Sequence, residues 1–173
     1  MSQSGRAQLD KRRPLLSLLD RLLDEAPDQP QDRALSGPEA MEALRRGIRR
    51  DLQALLNTRR RWRSWPAELT ELEQSVIGYG IPDFSTGSLA DAARRARLCA
   101  EIEETIRRFE PRIRPGSVRV RARESREDQA VPTLVFDIHG ELWAQPVPQQ
   151  LFLETAIDIN TRLAVVTDAR ARG

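Results

Sequence analysis

The first apolar repeat of the chain lies in residues 14–25, PLLSLLDRLLDE, where leucines recur at helical spacing. Five of them share one face: Leu15, Leu18, Leu19, Leu22 and Leu23. The next stretch, APDQPQDRALSGP, is rich in proline and polar residues, which predicts a linker. The pattern therefore predicts a short amphipathic helix that either docks on a partner or folds back on its own domain.

A second helical repeat follows Ser36 and Gly37, with Pro38 in the first helical position, where proline is favoured. Its apolar face comprises Met41, Leu44, Ile48, Leu52, Leu55 and Leu56. The opposite face carries Arg45, Arg46, Arg49 and Arg50, which we expect to be largely solvated. This helix is predicted to bury one face in a core.

A third helix is predicted to begin at Ser88, with Asp91 in a capping-box position, and to end before Pro111. Its predicted buried stripe is Leu89, Ala92, Cys99, Ile102, Ile106 and Phe109. Between the second and third helices, glycines and a proline predict a structural turn that holds Tyr79, Ile81 and Phe84 as apolar plugs. The turn residues are Gly78, Tyr79, Gly80, Pro82 and Asp83.

After a turn at Pro115 and Gly116 the apolar period changes from helical to two, the spacing of a half-buried strand. The inward positions are Val118, Val120, Ala122, Leu134, Phe136, Ile138 and Leu142. A last hairpin is predicted to turn near residues 158–160. The fold class is therefore α+β: N-terminal helices followed by a small, mainly antiparallel sheet of three to four strands.

Length and composition bound the class of protein. The 173 residues fit one domain, which we place at residues 38–168, with an N-terminal helix and flexible linker at 1–37 and a tail at 169–173. One cysteine and one histidine exclude a disulfide and a Cys/His zinc site. No apolar run approaches the roughly 20 residues that span a bilayer, and no signal-peptide core follows the start, so we expect a cytoplasmic protein without a metal or cofactor.

The net charge of +2 conceals two arginine-rich segments, residues 39–63 and 107–126. In the first, Trp62 and Trp65 alternate with arginines, a mixture that can stack bases and hold phosphates. No nucleic-acid-binding signature accompanies it, and two tryptophans near a helix end also anchor loops. A basic nucleic-acid-binding module is therefore an alternative, and we expect no nucleic-acid partner.

The triplet Glu110, Pro111 and Arg112 stands where the third helix gives way to the sheet. A glycosidase needs two carboxyl groups roughly 5–10 Å apart, one of them kept protonated. Nearby arginines favour the ionised form of Glu110, and the local sequence lacks a second carboxylate, although Asp83 or Asp137 could approach through the fold. A peptidoglycan-cleaving, lysozyme-like glycosidase is thus a weaker alternative to a structural joint.

As a joint, the triplet has two interpretations. Glu110 and Arg112 can present charges to a partner at an angle fixed by Pro111, or they can form an internal salt bridge that secures the junction. The first interpretation implies that exchanging the two charges leaves the fold intact. The edge strands near residues 117–124 and at the C-terminal hairpin could add a strand from another subunit.

Four ordered motifs, LLDRLLDE, RRDLQALLNTRR, SVIGYGIPDFS and FEPRIRPGSVRV, resemble the TssE family of bacterial type VI secretion baseplate subunits. The likeness runs from about residue 14 to about 168 and extends to the baseplate wedge proteins of contractile phage tails, a family with an old lysozyme label. Ile113 stands where the family usually has leucine.

The resemblance implies a non-enzymatic adaptor that links wedge subunits to the contractile sheath and starts sheath assembly. The implied partners are the sheath subunits TssB and TssC and the wedge subunits TssF and TssG, with TssK in the same assembly. The implied location is a baseplate docked at the inner-membrane complex, in the cytoplasm and without membrane insertion. The implied sheath-binding residues are Glu110, Pro111 and Arg112, and the candidate wedge-binding residues are Leu15, Leu18, Leu19 and Leu22.

Overall fold

The computed structural model describes residues 16–22, 35–60, 66, 68–84, 91–123, 133–144 and 148–169. Several residues named above lie outside these ranges, together with most of the predicted linker and the end of the tail: Leu15, Leu23, Trp62, Trp65, Ser88 and Leu89.

Helices precede the sheet throughout the described part of the chain. The elements are α1 (Leu18–Leu22), α2 (Gly37–Asn57), α3 (Ala92–Phe109), β1 (Arg119–Arg123), β2 (Thr133–Leu142), β3 (Gln149–Asp158) and β4 (Ala164–Asp168). The strands form one sheet in the order β1-β2-β3-β4, and every neighbouring pair is antiparallel. The predicted α+β class, with helices first and a small antiparallel sheet last, is confirmed.

The start of α2 follows the sequence prediction. Ser36 is the N-cap, and its hydroxyl accepts a hydrogen bond from the backbone N–H of Glu39 at 3.4 Å, while the Glu39 carboxylate accepts from the Ser36 N–H at 2.8 Å. Pro38 occupies the first turn, where its missing donor is harmless. Two of the otherwise unpaired donors of the first turn are thereby satisfied.

The start of α3 differs from the prediction. Asp91 is itself the N-cap, since its Oδ1 accepts from the Ala93 N–H at 2.9 Å, and the helix begins at Ala92. Ala92 is exposed on the first turn, so its assignment to the buried stripe was wrong, and Leu98, which the stripe omitted, is buried. Aspartate is as good an N-cap residue as serine, because its carboxylate can accept a hydrogen bond from an N–H of the first turn. With Asp91 as the cap, the helix begins about one turn later than predicted.

One face of the sheet packs against α2 and α3 to form a single core. The predicted inward residues of β2 are all buried, and those of α2 are buried except Met41, which is half-buried against the same core. Cys99 is buried among them, as expected for a small core residue. No described helix covers the opposite face of the sheet. Burial therefore alternates along β2 and β3, and every second side chain points away from the core.

The predicted glycine turn connects α2 to the core. Gly80 has φ +103°, and a Cβ there would lie 2.5 Å from the Thr58 carbonyl oxygen, so only glycine fits. The next residue, Ile81, is fully buried and exchanges backbone hydrogen bonds with the chain after α2. Tyr79 stacks edge-on with Phe109 at 5.3 Å between ring centroids, which ties the turn to the end of α3.

Side chains of α2 cover the free edge of β4. Asn57 accepts from the Ala164 N–H at 2.8 Å and donates to the Ala164 carbonyl at 2.9 Å, as a neighbouring strand would. One turn earlier, Gln53 accepts from the Val166 N–H at 3.2 Å. Unpaired strand edges invite association with other chains, and here the two amides occupy these positions.

Side chains also cover part of the free edge of β1. Glu103 of α3 accepts from the Val120 N–H at 3.3 Å, and the Arg119 guanidinium donates to the Val118 carbonyl at 2.6 Å. Both edges proposed above as sites for an added strand are therefore partly occupied within the monomer. A partner strand would have to displace these side chains.

Replacing Asn57 by leucine should lower the free energy of unfolding by about 1–3 kcal/mol, because the N–H and carbonyl of Ala164 would lose their partner. Urea denaturation followed by circular dichroism measures the change. Glu42→Leu, at an exposed position of the same helix, is the control and should change stability by less than about 0.5 kcal/mol. Equal losses in the two variants would show that the amide does not stabilise the edge.

Candidate functional site

The Glu-Pro-Arg corner, residues 110–112, is held between α3 and the end of β2. Glu110 caps α3, its N–H donating to the Ile106 carbonyl at 2.9 Å, and Pro111 stops the helix. The Arg112 carbonyl accepts from the Trp143 N–H at 3.0 Å. The next residue, Ile113, is buried and packs over Gly140, where a Cβ would approach it to 2.7 Å. Backbone and core contacts thus fix the direction of the corner.

Glu110 and Arg112 form a bidentate internal salt bridge. Glu110 is only 3% exposed, and its two oxygens accept from the Arg112 Nε at 2.7 Å and Nη2 at 2.5 Å. The Arg112 backbone N–H donates to the same carboxylate at 3.2 Å. Of the two interpretations of the joint, the internal salt bridge is the one observed, and Glu110 does not reach the surface of the monomer. Contact between the corner and a partner remains a prediction.

Arg112 connects two further parts of the chain. Its Nη2 donates to Asp51 of α2 at 2.6 Å, and its Nη1 lies 3.5 Å from Asp20 of α1. Arg50 pairs with both aspartates at 2.8 Å, which closes the network. The Nη1 contact with Asp20 is an ion pair without hydrogen-bond geometry, and Nη1 is buried with no hydrogen-bond acceptor. The corner therefore joins α1, α2 and the helix-to-strand junction.

The surroundings keep Arg112 charged. Burial alone would lower the pKa of its guanidinium, but hydrogen bonds and charges from Glu110 and then Asp51 outweigh burial and raise the pKa. The phenol of nearby Tyr79 has a raised pKa, first because it is buried and then because Asp51 and Glu110 are negative. The network is a fixed set of ion pairs rather than a group poised to exchange a proton.

The same geometry opposes a glycosidase at this corner. Glu110 and Asp51 bind the same nitrogen of Arg112, so a guanidinium fills the space that a sugar would need. Of the other two candidate carboxylates, Asp137 pairs with Arg123 on β1, and Asp83 lies 3.8 Å from Arg162 after β3. Among the residues that the structure describes, no cluster of histidine, cysteine, aspartate and glutamate could hold a metal ion.

Residues outside the predicted leucine stripe hold the N-terminal helix against the domain. Leu16, outside that stripe, packs against the core, and Asp20 reaches the corner. Leu19 is 53% exposed and Leu22 is 80% exposed. Of the two alternatives for this helix, residues 16–22 adopt the fold-back, with the acidic position facing inward.

Sequence reasoning missed Asp20, Arg50 and Asp51 as members of the site. One signal was available: Gly47 interrupts α2 between arginines, and glycine inside a helix costs about 1 kcal/mol relative to alanine unless something needs the space. Here the carboxylate of Asp20 takes that space, because a Cβ at position 47 would lie 2.6 Å from its Oδ2. In the sequence, Arg50 and Asp51 resemble ordinary surface residues of a basic helix.

Comparison with protein-family models gives one informative result. Residues 42–147, more than half of the chain, match the model described as baseplate wedge protein gp25. The chain belongs to the gp25 baseplate wedge family. This family of baseplate structural proteins includes TssE, so the resemblance seen in the sequence is confirmed at that level. A search of curated proteins and a search of solved structures returned no match.

The gp25 match includes α2 from residue 42 onwards, α3, β1, β2 and the whole corner, and it ends before β3 begins at Gln149. It also excludes Asp20, so the α1 contribution to the network lies outside the matched region. No helix in the described ranges is long and apolar enough to cross a membrane.

For this gp25-family protein, the geometry leads us to expect that exchanging the charges of Glu110 and Arg112 destabilises the fold, whereas the sequence alone predicted an intact fold. A glutamate at position 112 would face Asp51 and Asp20, which now pair with the arginine. Like charges at such distances in a partly buried site are strongly unfavourable. A test of the corner therefore has to measure stability as well as assembly.

Glu110→Gln should lower the free energy of unfolding by about 3 kcal/mol, because it leaves a largely buried guanidinium without its bidentate partner. Urea denaturation at neutral pH measures the loss. Glu141→Gln is the matched control, since the Glu141–Arg114 pair at 3.3 Å is considerably more exposed and should change stability by less than about 1 kcal/mol. A loss as small as that of the control would show that the corner does not depend on this pair.

Docking of α1 should depend on the ionisation of Asp20. Burial would raise the pKa of its carboxyl group, but hydrogen bonds from Ser17 and Arg50 and the charge of Arg50 together lower it. A depressed pKa in the docked form means that the stabilisation is complete above the ordinary aspartate range. It is lost as the pH falls through the lowered pKa.

The pKa of Asp20 can be measured by the carboxyl carbon chemical shift in the intact protein and in an isolated peptide of residues 14–25. The midpoint should be lower in the protein, because the peptide lacks Arg50. The same midpoint in both would mean that the contact with α2 does not hold the carboxylate.

Proposed function

We propose that this gp25-family protein is a non-enzymatic adaptor in the baseplate of a type VI secretion system, linking wedge subunits to the contractile sheath and starting sheath assembly. The observation that carries the proposal is the buried Glu110–Arg112 pair, which fixes the helical layer relative to the sheet. The family match over residues 42–147 supports a baseplate role. The bacterial cytoplasm, at a baseplate docked to the inner-membrane complex, is the proposed location.

In this proposal the corner holds the helices and the sheet in a fixed relative position. Arg112 joins α1, α2 and the junction between α3 and β1, so the surfaces on either side keep a constant angle. A rigid adaptor loses little conformational entropy when it docks, which leaves more of the contact energy for affinity. Glu110, Pro111 and Arg112 would then influence sheath binding by positioning the sheet. Pro111 is exposed, and of the two charged residues Arg112, whose side chain is 15% exposed, is the nearer to solvent.

The outer face of the sheet is the proposed sheath-binding surface, with TssB and TssC as partners. Phe152 is 47% exposed and stacks edge-on with His139 of the neighbouring strand at 5.0 Å. Trp143, at the end of β2, is 59% exposed and lies beneath the Arg114 guanidinium at 5.7 Å. Exposed tryptophan and arginine are the residue types that most often dominate the binding energy of an interface.

The exposed leucines of α1 are the proposed contact for TssF and TssG, with TssK in the same assembly. Leu19 and Leu22 lie outward while Asp20 holds the helix to the domain. Leu15 and Leu18, which share the predicted stripe, belong to the same proposal from the sequence alone. Apolar side chains at helical spacing suit a hydrophobic groove on a partner.

The double variant Trp143→Ser and Phe152→Ser should abolish sheath assembly in cells while leaving the protein folded, because both side chains are exposed in the monomer. Fluorescently tagged sheath subunits report assembly, and thermal unfolding of the purified variant reports folding. Leu69→Ser with Val76→Ser is the control, since these residues are 49% and 89% exposed away from the sheet. Normal sheaths in the first variant would refute the role of this face.

A further inference from the structure

The contact between α1 and α2 is a small site that accepts one carboxylate. The three nearest atoms to a Cβ built at Gly47 all belong to the Asp20 carboxylate, and the closest, Oδ2, would be 2.6 Å away. The glycine thus opens a notch in α2 that is filled by this side chain. Arg50 lies at 2.8 Å and Arg112 at 3.5 Å from its oxygens, so two cations face the notch.

The segment that fills the notch is short and lightly attached. Ser17 and Asp20 bond to each other, with the Ser17 hydroxyl donating to Asp20 Oδ2 at 2.7 Å and the Asp20 N–H donating to the hydroxyl at 3.0 Å. This turn prearranges the carboxylate. A five-residue helix has almost no stability of its own in water, so its position depends on Leu16 and Asp20.

The cation site is incompletely satisfied by its present occupant. Arg112 Nη1 is buried and has no hydrogen-bond acceptor, because the Asp20 oxygen at 3.5 Å is too far and poorly aligned. A carboxylate placed slightly deeper would supply that hydrogen bond. Asp51 and Glu110 already contribute two negative charges, which favours a singly charged carboxylate over a phosphate.

We propose that the notch formed by Gly47, Arg50 and Arg112 is a carboxylate-binding site in which Asp20 holds the place of an acidic residue from a partner subunit. The identification of that partner as a wedge subunit rests on the proposed function. The chemistry it must present is a short acidic side chain on a helical turn. Its entry would release residues 16–22 and couple the exposed leucines of α1 to occupancy of the corner.

A peptide of residues 14–25, supplied in trans to the full-length protein, tests the site directly. It should bind the Asp20→Asn chain about tenfold more tightly than the wild-type chain, whose own Asp20 competes at high effective concentration. The same peptide carrying Asp20→Asn should bind neither chain. Glu42→Gln, which removes an exposed carboxylate from α2, is the control and should bind the peptide as the wild-type chain does.

Gly47→Ala, added to the Asp20→Asn chain, should abolish peptide binding by filling the notch. Alanine favours the helix over glycine, and the nearest atoms to its Cβ are those of Asp20, so α2 should remain folded, as thermal unfolding will show. Equal binding of the aspartate and asparagine peptides would overturn the proposal. So would binding that survives Gly47→Ala, or the absence of binding to the Asp20→Asn chain.

A displacement experiment with purified TssF and TssG then distinguishes carboxylate exchange at the notch from the adaptor function. Displacement of a labelled aspartate peptide from the Asp20→Asn chain would support exchange at the notch. If the wedge subunits bind while the peptide stays in place, exchange is refuted and the adaptor function stands. If they do not bind the wild-type chain at all, the wedge contact proposed under the adaptor function fails, and with it the identity of the notch's partner.

Discussion

The arrangement of the whole domain depends on one buried guanidinium. Arg112 lies where the last helix gives way to the sheet, and it bonds to Glu110 of its own turn and Asp51 of α2 while facing Asp20 of α1. A charge with little access to water is tolerated only when it is paired and hydrogen-bonded. The two carboxylates that hydrogen-bond to it, Glu110 and Asp51, must therefore stay where they are, and the elements that carry them are held with them.

The remaining structure follows from placing both helices on the same side of the sheet. That packing buries one continuous apolar face, and it also brings polar side chains of α2 and α3 to the two sheet edges. Asn57 and Gln53, four residues apart on α2, bond to β4. Arg49 and Arg45 are also four residues apart; Arg49 pairs with Asp168, and Arg45 donates to the Gln150 carbonyl. Within the charged face of α2, Arg49 thus pairs with β4, Arg45 with β3 and Arg50 with Asp20 of α1, whereas Arg46 is exposed as the sequence had suggested.

Much of this fold could be derived from the sequence because it depends on local signals. The change of apolar period after Pro115, the proline at the start of α2 and the glycines before Ile81 each act within a few residues. The site could not be derived in the same way. Asp20 and Arg112 are far apart in the chain, and nothing local distinguishes Asp51 from any other acidic residue of a basic helix.

The Glu-Pro-Arg motif illustrates why a motif gives position more reliably than role. The order of its residues predicted that the helix ends there and that Pro111 fixes the backbone between helix and strand, and the helix does end at Phe109 with Glu110 as its C-cap. The choice between an exposed charge pair and an internal one depends on whether a group elsewhere in the chain accepts a hydrogen bond from the arginine, which only the tertiary structure reveals. Because Asp51 does so, the pair can remain buried, and the corner can transmit position to the sheet without contacting anything outside the chain. In the proposed adaptor, the geometry of the surfaces is what acts on the partners, so a change at Glu110 would affect assembly by loosening the domain.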